Sequence, residues 1–93
     1  MIAATATGPS PTHTPPPGES VVTIESSSWA TNVTPLQFLP AGGSTWFDVD
    51  ELNTPGTALS ITKNRVLVVP GGVTYRLNPS AWSANIIARF SEI

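Results

Sequence analysis

From Ser20 onward, apolar and polar residues alternate in short runs broken by Pro and Gly. That is the pattern of short strands joined by tight turns. Val22 and Ile24 alternate with Thr23 and Glu25, and Leu36–Leu39 is an apolar run held between Pro35 and Pro40. Thr45–Val49 follows Gly42-Gly43 and sets Phe47 and Val49 on one face with Trp46 on the other. Leu59 and Ile61 alternate with Ser60 and Thr62. Arg65–Val69 (RVLVV) is continuously apolar after its Arg, as expected of a strand buried on both faces. After Pro70-Gly71-Gly72, Val73, Tyr75 and Leu77 alternate with Thr74, Arg76 and Asn78. Ile86, Ala88 and Phe90 then alternate with Ile87, Arg89 and Ser91. No useful window carries the i, i+3, i+4, i+7 spacing of a helix. Seven short strands predict an all-β fold, a small antiparallel β-sandwich or jelly-roll-like body over residues 20–93. A faint internal echo, Leu39–Phe47 against Val69–Arg76, reuses one turn chemistry: Pro, Gly-Gly, then Thr and an aromatic.

Residues 1–19 read differently. They are rich in Thr, Ala and Pro and hold five of the ten prolines. So little apolar surface does not offset the entropy of ordering, which predicts an extended, polyproline-biased arm. At about 3.1 Å per residue such an arm reaches roughly 50 Å. The segment has neither the basic start nor the apolar run of a secretory signal, and no run approaches the ~18 apolar residues of a membrane span.

Composition narrows the chemistry. Charged residues make up 11% of the 93, and the net charge is -2. Four basic residues do not build a nucleic-acid footprint or a polybasic membrane segment. With no cysteine, disulfides, thiolate metal sites and Cys nucleophiles are excluded. Solubility rests instead on 22 Ser and Thr residues. No P-loop, G-x-G-x-x-G or G-x-S-x-G occurs, no cofactor is implied, and the chain reads as a non-enzyme. Asp48, Asp50 and Glu51 form a small acidic cluster at a strand end, but D-V-D-E lacks the glycine and distant Glu of a calcium loop, so a solvated terminus is the plainer reading. His13 reads as a mobile imidazole in the arm, without a partner. Asn32-Val33-Thr34 matches a glycosylation sequon and is read as chance in a chain without a signal peptide.

A body of this size is marginal alone, and disulfides are closed to it, so association is the remaining source of stability. Trp46, opposite Phe47 and Val49, and Ile87, opposite Ile86, Ala88 and Phe90, are the candidate subunit-interface residues. Arg76 and Arg89 lie on the polar sides of their strands and are expected to pair with Asp48, Glu25 or a neighbour. Trp29 and Trp82, in Ser/Ala-rich loops, are read as caps on the open end of the sandwich; with Trp46 they are also the candidates for stacking on a sugar.

The stretch RVLVVPGGVTYRLNPSAWSANIIARF, residues 65–90, resembles small β-sandwich proteins of tailed-bacteriophage virions. The cue is a Val-rich strand, a Pro-Gly turn, then TYRL and an alternating last strand. The Pro-rich N-terminal segment resembles the arms of capsid decoration, or cement, proteins. The resemblance implies a non-enzymatic virion protein on the capsid surface, assembled in the host cytoplasm and often trimeric. Its partners would be the major capsid protein or another virion protein, and its own copies. No binding residue carries over position by position. On this reading the arm residues Ile2, Thr5, Thr7, Pro9, Pro11, Pro15, Pro16 and Pro17 order on the capsid, adding a strand to an exposed edge. Two alternatives stay open: a tail or neck component, and a glycan-binding or host-adhesion module using an exposed Trp.

Overall fold

The computed structural model describes residues 1–49 and 60–93. Among these residues there is no helix, and strands follow one another in the order β1 (Ile2–Ala4), β2 (Glu19–Ser26), β3 (Thr34–Leu39), β4 (Phe47–Asp48), β5 (Ser60–Ile61), β6 (Arg65–Pro70), β7 (Thr74–Leu77) and β8 (Ile86–Glu92). They form two antiparallel sheets. One sheet has the order β1-β8-β2-β6. In the other, β3 is central and pairs with β4, β5 and β7. The all-β sandwich expected from the alternating pattern is the fold observed.

Alternation decides which residues meet between the sheets, because successive strand side chains point to opposite faces. Val22 and Ile24 of β2, Ile86 and Ala88 of β8, and Ile2 and Ala4 of β1 are all buried, as are Leu36, Ile61, Tyr75 and Leu77 of the second sheet. Tyr75 is the largest of these. Its hydroxyl donates to the Pro70 carbonyl, and burial pushes its phenol up to about 12, so it remains a donor at any ordinary pH.

The segment 1–19, expected to stand off the body, instead runs back along it. Ile2–Ala4 pairs with Ala88–Ile86 at the edge of the first sheet. The chain then crosses to the second sheet and follows β7: Gly8 N–H donates to Pro79, Ser10 N–H to Leu77, and His13 and Tyr75 exchange both backbone bonds. Gly72 N–H donates to Pro15, whose ring is buried, and Thr14 and Thr74 share a hydroxyl contact of 2.7 Å. The longest dimension of the molecule is therefore 33 Å, short of the reach expected for a free arm. The physical reason is backbone satisfaction. The edges of β8 and β7 would otherwise leave N–H and C=O groups without partners, and a Thr/Pro-rich chain supplies acceptors as well as any other. Counting apolar side chains could not register that gain.

Two further expectations are corrected. His13 is not a solvated imidazole: its ring lies 4.9 Å from that of Phe90, which in turn stacks 5.5 Å from Tyr75. And RVLVV is not buried on both faces. Leu67 and Val69 face the core, but Val66 is 68% exposed and Val68 44%, because β6 ends its sheet among the described residues and nothing described covers its outer face.

Candidate interaction surfaces

The two outer sheet faces and the mouth between the sheets carry the side chains left over from the core. On the second sheet, antiparallel register places Gln37 opposite both Asp48 and Arg76, all pointing outward. The Arg76 Nε donates to Gln37 Oε1 at 2.9 Å, and Gln37 Nε2 donates to Asp48 Oδ1 at 2.7 Å. Gln37 thus relays Arg76 to Asp48, the pairing expected from sequence with an amide inserted between the charges. The same guanidinium lies 4.2 Å over the Trp46 ring, a cation–π contact that also shields one indole face. Trp46 lies outside the core, as its position in the alternation required, but is half-buried rather than bare.

Register pairs Phe38 with Phe47 on the inward side of the same strands. Their rings are 5.9 Å apart, and Phe47 is 50% exposed because it sits at the mouth of the sandwich. Phe38, Trp46, Phe47 and Asp48 line an open groove of about 630 Å3. Behind it, a smaller apolar pocket of about 160 Å3 lies among Phe38, Val49, Val69, Pro70, Val73 and Tyr75. Asp50 and Glu51 of the predicted acidic cluster lie outside the described residues.

On the first sheet, register aligns Val21 of β2 with Val68 of β6 and Ser91 of β8, and Thr23 with Val66 and Arg89. Glu25 is opposite Ile87 and forms an ion pair with Arg89 across the half-exposed surface. Such a pair stabilises by at most about 1 kcal/mol. Ile87 is half-buried beside it, so its expected exposure is partial. No family model, curated protein or solved structure matches this chain. The surfaces have to be read on their own chemistry.

The remaining predicted residues are placed as follows. Ile2 is buried between the sheets and Pro15 is buried against the β6–β7 turn, so neither is available to a partner in this structure. Thr5, Thr7, Pro9, Pro11, Pro16 and Pro17 are exposed. Trp29 packs on the core and donates its indole N–H to Asn64 at 2.7 Å, which fits the capping role. Trp82 donates to the Ala4 carbonyl at 3.3 Å, tying the β7–β8 loop to the N-terminal strand.

Asn32 stood out in the sequence only as part of a sequon, and its structural role was not anticipated. It is 1% exposed, and its carboxamide joins two loops. The Nδ2 group donates to Ser26 Oγ, Ser28 O and Ala84 O, while Oδ1 accepts from Ser83 and Ala84 N–H. The sequon is therefore closed to a glycan in the folded chain. An Asn in a Ser-rich loop was a possible sequence signal, since such residues cap and bridge turns.

Proposed function

We propose that this chain is a non-enzymatic structural protein that decorates a virion, attaching through surfaces of its β-body and associating with its own copies. The observation that carries the reading is the placement of exposed apolar side chains on two separate surfaces: Val66 and Val68 beside Val21 on the first sheet, and Phe47 beside Phe38 and Trp46 at the far sheet and mouth. Two contact surfaces on opposite sides suit a part that touches both a lattice and its neighbours. Apolar contact area joined to a polar frame such as Arg76–Gln37–Asp48 is what interface cores and rims are made of. With Ile2 and Pro15 committed to the fold, attachment falls to the body rather than to a free arm. Many copies on one lattice turn weak single contacts into durable retention.

The test is cosedimentation with tailed-phage particles stripped of their decoration. Wild-type protein should pellet with the particles, and Trp46→Ala with Phe47→Ser should lose most occupancy while keeping the far-UV spectrum of the folded body. Full occupancy of that double variant would sink the assignment of the aromatic surface. Failure of the wild type to bind any such particle would sink the virion reading.

One observation favours a second reading. A Trp ring flanked by a carboxylate, a carboxamide and a guanidinium along an open groove is also the chemistry that holds a sugar ring. Titrating intrinsic fluorescence with bacterial polysaccharides separates the two, since only the sugar reading predicts a saturable Trp46-dependent change.

A further inference from the structure

The chain covers its sheet edges unevenly. At one side of the sandwich β1 closes the edge of β8, and residues 8–15 close the edge of β7. At the other side β6 has β2 on one flank and no described strand on its other. We propose that this outer edge of β6 is the site at which a second copy of the chain adds its own β6, antiparallel and about a two-fold axis at Leu67. This rests on the self-associating part of the function proposed above and on nothing concerning a virion.

Backbone direction is fixed by two hydrogen bonds. Gly71 N–H donates to Gly18 O, continuing the β2–β6 ladder, and Ile93 N–H donates to Glu19 O, continuing the β2–β8 ladder. In an antiparallel ladder, bonded and non-bonded pairs alternate. Even-numbered residues of β2 therefore bond to β6, through its odd-numbered residues. The N–H and C=O groups of Val66 and Val68 point the other way, to the edge that no described strand pairs. These two residues also carry the exposed valine side chains, so one stretch offers both ladder groups and apolar area.

Pro70 selects the register. It too lies on the edge-facing set but has no N–H to donate. A two-fold at Val68 would set Val66 opposite the second copy's Pro70 and forfeit bonds. A two-fold at Leu67 pairs Val66 with Val68 of the second copy, and the reverse by symmetry, so every N–H in both pairs is used. On the outer face it builds an unbroken apolar stripe from Val21 through Val68 into Val66 of the second copy.

Charge agrees with this pairing. Lys63 lies two residues before β6, and Glu19 is registered with Pro70 at its end. Antiparallel apposition brings Lys63 of each copy to the Glu19 end of the other. A self-complementary surface of this kind is what a closed two-fold contact requires.

The test is mass in solution by light scattering across a concentration series. Wild-type protein should move from the 9.7 kDa of one chain to twice that value. Val66→Lys and Val68→Lys should stay at one chain mass at every concentration with an unchanged far-UV spectrum. Glu19→Lys should weaken the dimer at least tenfold, and adding Lys63→Glu should restore it. Because the chain has no cysteine, single thiols report the register: oxidised Leu67→Cys should cross-link rapidly and Val66→Cys only slowly. A wild type that remains a single chain, or that closes as a trimer, overturns the proposal. So does a dimer unaffected by the valine changes, or one cross-linked best through position 66.

Discussion

The Asn32 carboxamide oxygen accepts a hydrogen bond from the Ser83 backbone N–H at 2.6 Å, joining residues 51 apart in sequence. That bond, with the donation to Ala84 O, fastens the β2–β3 loop to the β7–β8 loop, while the donation to Ser28 O braces the first loop itself. Both loops cross from one sheet to the other, and the amide works beside an antiparallel backbone bridge between Val33 and Ala81 that joins the same two segments.

Replacing Asn32 with Ala should therefore cost about 2 kcal/mol, since it removes the partner of part-buried backbone groups in both loops. Asn32→Asp keeps the acceptor and loses the donors, and should fall between. Chemical denaturation midpoints at fixed slope measure both.

Ser20 presents the reverse case. Its hydroxyl is buried and finds no hydrogen-bond partner among the described residues. Ser20→Ala removes an unsatisfied polar atom without opening a large void, and should stabilise the protein by about 1 kcal/mol. A lower melting temperature for this variant would show that the hydroxyl is satisfied after all.

His13 links stability to pH. Burial against Phe90, and secondarily the positive N-terminus, hold its pKa below the ordinary 6.5. The unfolded chain then takes up a proton before the folded one. The stabilising contribution is complete above about pH 6.5 and declines as the pH falls through the folded value. Melting temperatures between pH 7.5 and 5 should drop for the wild type. His13→Phe, which keeps a ring beside Phe90, should flatten that slope.

Gly71 is where the N-terminal segment meets the β6–β7 turn. A Cβ at this position would fall on the Pro16 carbonyl oxygen and crowd that of Gly18. Gly71→Ala should push residues 15–18 off the turn and break the Gly72-to-Pro15 bond, with a loss of about 2 kcal/mol. Proteolysis between Thr12 and Gly18 should become rapid in this variant while remaining slow in the wild type. At Gly72, φ is +79°, so substitution there strains the backbone itself.

The period-two alternation determined much of this protein. It gave the all-β class, the inward sets Val22/Ile24, Tyr75/Leu77 and Ile86/Ala88, the outward position of Trp46, and the polar settings of Arg76 and Arg89. Those are local facts, since a side chain's face follows from its neighbours along one strand. Tertiary structure alone decided the rest. RVLVV reads the same whether one face or both are covered, and only the folded structure shows that no described residue covers Val66 and Val68. The Pro/Thr-rich start was judged by its low apolar content, yet main-chain pairing with β7 and β8 holds it together with the burial of Ile2, Ala4 and Pro15. Asn32 acquired its role when two loops distant in sequence came within reach of one amide. Each of these outcomes depends on which backbone edges and loops lie adjacent after folding, a non-local property that no single stretch of sequence carries.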